Sequence, residues 1–195
     1  MILTVIDTET SGVSLRDHEI LEVGLISYVV TNDGERLVTK KFESKIQPKH
    51  IHTANNKALE INGYNKKAWE GAPLIEEVLP EVTNMIDKSS ILMGQNLIFD
   101  LRFFEKAYKQ NNIPVPQFPP YIDTKSMADK LRKLGIIKKS GMDYLCEHFN
   151  IDFSGRAHTA LADCERTAKA FDALLEYEPD YDLWTFDSPY DPWRS

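Results

Sequence analysis

Cysteine is scarce. The 195 residues contain only Cys146 and Cys164, with no Cys-x-x-Cys pair and no zinc spacing. A disulfide framework is not expected, and a reduced, cytoplasmic compartment is. Long apolar runs are also missing. None approaches the ~18–20 residues needed to cross a bilayer, so no membrane role is expected. The apolar opening Met1–Ile6 has no basic leader and meets Asp7 at once, which reads as a strand and not as a signal peptide. Internal repeats and low-complexity tracts are absent. Positive charge is in deficit, with 23 Lys and Arg against 30 Asp and Glu, a net charge of −7.

That charge argues against sequence-blind coating of long duplex nucleic acid. Its distribution softens the argument. Six acids (Glu176, Glu178, Asp180, Asp182, Asp187 and Asp191) and one base, Arg194, lie within 176–195, so this segment carries −5 and the rest of the chain −2. A nearly neutral body suits short or single-stranded ends. The sequence therefore divides into a domain over 1–176 and an acidic tail over 177–195. The tail holds six aromatics, Tyr177, Tyr181, Trp184, Phe186, Tyr190 and Trp193, and three prolines. Such a segment either folds back over the body or docks on a protein partner.

The pattern of elements predicts an α/β fold. Residues 2–7 form an apolar strand and 19–31 a second. Asn32-Asp33-Gly34-Glu35 reads as a hairpin turn, because Asp-Gly tolerates the positive φ such turns require. Residues 36–47 then return antiparallel. A short helix over 54–61 is closed by Asn62-Gly63. Pro73 opens a helix to about Asp87, with Leu74, Val78, Leu79, Val82 and Ile86 at helical spacing. Ser90–Gly94 is a buried strand, and 99–111 an amphipathic helix. The proline-rich stretch 113–120 is a loop leading to a strand at 121–124. Helices follow near 125–134, 141–149 and 159–176. Three meandering strands, then strands separated by helices, imply a mixed central sheet of about five strands, the first three antiparallel, flanked by helices.

Three short motifs carry chemistry. Asp7-Thr8-Glu9 closes the first strand. Side chains alternate along a strand, so Asp7 and Glu9 face the same way, with Cα atoms about 6–7 Å apart at ~3.3 Å per residue. Carboxylates at that separation converge on a hard cation such as Mg²⁺ or Mn²⁺. Asp100, in Gly94-Gln95-Asn96-Leu97-Ile98-Phe99-Asp100, follows a strand end and a polar turn, near the start of a helix. His158 and Asp163 are five apart, ~140° around a helix, and would not share a face. If both serve one site, His158 lies just before the helix, with Thr159 as N-cap and Asp163 on it. Taken singly, these fragments read first as a solvated turn, an acid favoured by the helix dipole and a structural histidine.

Taken together and in this order, they resemble the DEDDh subfamily of DnaQ-like exonucleases in the ribonuclease H-like superfamily. The resemblance covers about residues 2–175. Asp7-Thr8-Glu9-Thr10-Ser11-Gly12 is similar to the family's DxETTG motif, with Ser11 for the second Thr. Ile20-Leu21-Glu22-Val23-Gly24 resembles its second strand. Asn96, Phe99 and Asp100 match its second motif, whereas Gln95 stands where His is commoner. Glu70-Gly71-Ala72-Pro73, Ile122-Asp123-Thr124, Met142-Asp143-Tyr144-Leu145-Cys146 and Arg156-Ala157-His158 match further segments. Asp123 looks structural in the family and is not taken as a ligand.

The resemblance implies a 3′→5′ exonuclease with two divalent metal ions, Mg²⁺ or Mn²⁺. One would be held by Asp7, Glu9 and Asp163, the other by Asp7 with Asp100. His158 would act as general base, which suits a side chain titrating near pH ~6.5, and nucleoside 5′-monophosphates would leave. Thr10, Val13, Leu15 and Asn96 are the implied substrate contacts. Expected partners are single-stranded DNA or RNA 3′ ends, DNA slightly ahead, with the chain a monomer or homodimer. Alternatives are RNA 3′-end trimming, degradation of short oligonucleotides, a catalytically weak binding accessory of a replication or repair complex, and a phosphatase or nucleotidase sharing the carboxylate chemistry. Phe103 and Phe104 read either as core or as stacking platforms. His50-x-His52 and the lysines Lys40-Lys41, Lys66-Lys67, Lys125 and Lys138-Lys139 read as surface.

Overall fold

Every residue from Ile20 to Tyr28 is buried in the computed structural model, which describes residues 1–31, 34–86 and 88–177. A strand buried on both faces needs layers on both sides, and the rest of the chain supplies them. The sheet comprises β1 (Ile2–Thr10), β2 (Ile20–Val30), β3 (Arg36–Lys45), β4 (Ser90–Gly94) and β5 (Tyr121–Asp123), in the order β3-β2-β1-β4-β5. β1 pairs antiparallel with β2, and β2 with β3; β1–β4 and β4–β5 are parallel. This is the mixed five-stranded sheet that the sequence predicts. The helices are α1 (Asn56–Asn62), α2 (Ile75–Met85), α3 (Leu97–Gln110), α4 (Thr124–Lys133), α5 (Met142–His148) and α6 (Ala160–Leu175). Among the described residues, no helix is long and apolar enough to cross a membrane.

Two cores sandwich the sheet. On one face, Leu3, Val5 and Ile26 pack with Met127, Leu145 and Phe171 from α4, α5 and α6. On the other, Ile6 and Leu25 pack with Leu79 and Val82 of α2 and Leu101 of α3. Alternation along β1 therefore sends Leu3, Val5, Asp7 and Glu9 towards the α6 side. Phe103 and Phe104 are buried in the second core, which leaves them no face for a base. His50 and His52 are exposed, as expected of a surface loop.

Several boundaries differ from expectation. β1 runs on to Thr10, because Asp7 and Glu9 remain paired with Gly24 and Glu22 of the long β2. The helix expected from Pro73 begins at Ile75. Glu77 reaches back to accept the Leu74 N–H at 2.7 Å, making Leu74 the cap. Pro80 lies inside this helix on its exposed side. α3 starts at Leu97, two residues early, because Asn96 adopts a left-handed conformation (φ 67°). α1 starts two residues later than read, with Asn55 capping it, and Gly63, at φ 71°, closes it as expected. Residues Asn32 and Asp33 of the hairpin turn, Asp87, and the tail from residue 178 onward lie outside the described residues.

Asp123 ties β5 to the turn before α3. Its Oδ1 accepts the backbone N–H groups of Asn96 and Lys125, both at 2.9 Å. Asp123→Ala should therefore cost about 1–2 kcal/mol through two stranded amides. The check is a urea midpoint lowered at unchanged slope.

Candidate active site

The site exists because β1 outruns its parallel neighbour. β1–β4 pairing ends at Val5–Met93, and β4 itself ends at Gly94. Beyond that point α3 descends beside the open edge of β1. Asp100, in its first turn, takes the place of a strand partner. Its Oδ1 accepts the Thr8 N–H at 3.0 Å and the Thr8 hydroxyl at 2.5 Å. This anchors one carboxylate oxygen of Asp100 and leaves the other available.

The loop before α6 delivers the histidine. His158 has φ 62°, a left-handed conformation costing a non-glycine residue about 1–3 kcal/mol. Its Nδ1 lies 4.0 Å from Asp163 Oδ2 and its Nε2 3.9 Å from Asp143 Oδ2. Glu9, His158 and Asp163 each offer an atom within 4.8 Å of the others. Thr159 occupies the N-cap position, but its side chain does not cap the helix; its hydroxyl donates to Arg156 O at 3.0 Å. A cavity of about 200 Å³ opens here, with Asp7, Gln95, Asp143, His158, Asp163 and Arg166 in its walls. A larger one of about 470 Å³, beside Phe103 and Lys106 of α3, contains none of the five sequence-predicted residues.

Arg166 is the site residue that sequence reading overlooked. It is 2% exposed and sits one turn after Asp163. Its guanidinium donates to Asp163 Oδ1 at 2.6 Å and to Asp143 Oδ1, and its Nε lies 3.4 Å from Cys146 Sγ. Phe153 lies under it at 4.9 Å. Burial opposes its charge, yet these hydrogen bonds hold its pKa above the ordinary range. The i, i+3 spacing of Asp163 and Arg166 was a readable signal; the pairing with Asp143 on α5 was not. Thr8, Glu22 and Gln95 were likewise unassigned. Gln95 donates to Ser140 O at 2.9 Å and accepts from Thr124 at 2.6 Å, so it braces the strand end.

The acids are uncomfortable without a cation. Burial raises the pKa of Asp7 strongly, and Asp100, Asp163 and Glu9 add to it while Arg166 opposes. Burial, then Asp163, Glu22 and Asp100, push Glu9 up to about 8, with Arg156 opposing. Burial lifts Asp100 to about 7 despite the Thr8 hydrogen bonds. An all-oxygen acidic set with one imidazole, repelling itself in a desolvated pocket, fits hard divalent cations.

None of the residues read as substrate contacts is among those lining this cavity. Val13 is 81% exposed and Leu15 36%. Asn96 is exposed, and its side chain does not cap α3. Thr10 is buried, its hydroxyl donating to Gly12 O at 2.9 Å and its carbonyl accepting from Asn62 at 3.1 Å.

Carboxyls whose pKa rises on folding hold protons more tightly in the folded state. Their stabilisation is complete below the ordinary carboxylate range and is lost as pH climbs through the folded values. For Glu9 the window is pH 4.5 to about 8, and for Asp100 it is 3.8 to about 7. The acids held low, such as Asp17 and Glu76, act at lower pH. In EDTA the melting temperature should fall across this range, and saturating Mn²⁺ should remove the fall. A flat or rising profile in EDTA would contradict the electrostatics described.

The sequence matches the RNase_T exonuclease family over residues 4–171. Ribonuclease T of Haemophilus ducreyi is 27% identical over 183 residues, covering 88% of this chain and 83% of the relative. The nuclease domain of 3′hExo, a DEDDh family member bound to rAMP, superposes with a TM-score of 0.71 at 17% identity, covering 90% of this chain and 92% of that one. Exonuclease X in complex with 5′ overhanging duplex DNA superposes at 0.65 and 22% identity, covering 94% and 95%. The extended β1 edge, the clustered carboxylates and these likenesses agree: the chain belongs to the RNase_T exonuclease family and has the fold of DEDDh nuclease structures.

Proposed function

We propose that the domain over 1–176 trims single-stranded nucleic acid from the 3′ end, with Asp7, Glu9, Asp100, His158 and Asp163 as its catalytic set. The observation that carries this reading is the convergence of Glu9, His158 and Asp163 within 4.8 Å beside Asp7. Glu9, Asp163 and Asp7 would hold one Mg²⁺ or Mn²⁺, and Asp7 with the free oxygen of Asp100 a second. When bound, the pair supplies Lewis-acid stabilisation of the attacking and leaving oxygens.

The chain's own residues do the rest. Arg166 occupies Asp163 Oδ1, which turns Oδ2 towards the cluster. The His158 imidazole accepts a proton from the water that attacks phosphorus. The P–O3′ bond then breaks, the shortened strand keeps the 3′-oxygen, which takes a proton from solvent, and a nucleoside 5′-monophosphate leaves. His158 is 39% exposed and can pass its proton to solvent. Val13 and Leu15 offer apolar contact to the terminal base, Asn96 a polar side chain to the strand, and Thr10 its backbone to the terminal sugar.

The modest charge of the body supports short or single-stranded substrates over long duplex. DNA stands slightly ahead of RNA in this reading. RNA 3′-end trimming or oligoribonuclease activity is the second, favoured by the name of the Haemophilus relative and by the rAMP bound to 3′hExo. Protein docking through the acidic tail and a monomeric or homodimeric state belong to the same proposal.

The test uses 5′-labelled single-stranded DNA and matched RNA with Mg²⁺, Mn²⁺ or EDTA. The expected result is a ladder shortening from the 3′ end, absent in EDTA and in Asp7→Ala. The faster polymer decides between the two substrate readings. Binding of both polymers without cleavage would replace the enzyme reading with that of a binding accessory. His158→Ala should lose about 100- to 10,000-fold in kcat while retaining Mn²⁺ affinity; unchanged turnover would remove it as the base. Metal at 100 times its Kd should add about 2.7 kcal/mol to stability, measured as a concentration-dependent melting temperature that Asp7→Ala abolishes.

A further inference from the structure

β2 brings two residues to the site that no step of the reaction uses. Glu22 and Gly24 lie opposite Glu9 and Asp7 in the β1–β2 register, and so share the face that receives α6. Glu22 is 4% exposed, and its Oε1 accepts the backbone N–H of Ala160 at 2.9 Å. Ala160 is the first residue of α6, whose own cap residue, Thr159, makes no side-chain cap. A free amide at the helix start is thus satisfied from the sheet and not from the helix's own flank. Gly24 permits the approach: a Cβ there would lie 2.5 Å from the Ala160 carbonyl carbon and 2.6 Å from the Leu161 nitrogen. One turn on, Cys164 Sγ donates to the Gly24 carbonyl at 3.2 Å.

We propose that Glu22 is a positioning residue: by accepting the Ala160 N–H it sets the register of α6 on β2, and with it the places of His158 and Asp163 relative to Asp7 and Glu9. This rests on the catalytic set proposed above. His158 precedes the anchored amide by two residues and Asp163 follows it by three, so both move if the helix end slides. The interaction needs an acceptor oxygen and not a charge. A side-chain amide in the same place would accept the same hydrogen bond.

The experiment compares Glu22→Gln, Glu22→Leu and Asp7→Ala on a 5′-labelled oligonucleotide, well below each melting temperature, with Mn²⁺ binding followed by calorimetry. Glu22→Gln should keep kcat within about 3-fold of wild type. Glu22→Leu should lose about 100-fold in kcat at unchanged KM, and Mn²⁺ affinity should fall by at least about 10-fold. A folded Glu22→Leu protein with wild-type kcat and Mn²⁺ affinity would reduce Glu22 to a stabilising residue and overturn the proposal. So would a Glu22→Gln protein as impaired as Glu22→Leu. Should Glu22→Leu not fold, Gly24→Ala displaces α6 while leaving Glu22 in place, and wild-type kcat in that variant has the same meaning. An active Asp7→Ala protein would refute the catalytic set itself, whereas an inactive one beside an unimpaired Glu22→Leu refutes only the role of Glu22.

Discussion

A parallel pair of strands of unequal length governs this molecule. β4 stops where α3 must begin, and β1 continues to Thr10. The Thr8 amide at that unpaired edge would be costly to bury without a partner. Asp100 satisfies it, and the same bond draws a carboxylate from α3 against the Asp7-Thr8-Glu9 segment. On its other side β1 stays paired with β2 as far as Glu9–Glu22, so the overhang is held rigid. A carboxylate pair on a rigid strand is better placed than one on a loop.

Crowding is the consequence. Asp7, Glu9 and Asp100 all have raised pKa values, with burial the largest cause in each. Arg166 offsets part of this, but its hydrogen bonds go to Asp163 and Asp143. The arrangement therefore divides labour: a buried guanidinium orients Asp163, while Asp7 and Asp163 line the pocket. Cations bound there would relieve repulsion that the fold otherwise tolerates at the cost of stability.

Long-range order around α6 completes the site. Gly24 lets the helix start touch the sheet, Glu22 takes its first amide and Cys164 bonds one turn further on. The left-handed turn at His158 then brings the imidazole back over the carboxylates. The Gly24, Glu22 and Cys164 contacts join residues more than a hundred positions apart. None leaves a periodic or local trace.

The apolar run before Asp7, the Asp-Gly turn signal, the Asn62-Gly63 stop and the proline loop were local, and they sufficed to predict a mixed sheet with its first three strands antiparallel, flanking helices and a shared face for Asp7 and Glu9. Family resemblance added the five-residue set. What local pattern could not reveal was the start of α2, which depends on Glu77 reaching back to the Leu74 amide. The Arg166–Asp143 pair and the Glu22–Ala160 bond were equally hidden. The sequence by itself determined which acids share a strand face, because residue type and strand periodicity are local properties. Only the tertiary structure decided which oxygen of Asp100 is taken up, because its partner Thr8 meets it only when α3 packs against β1.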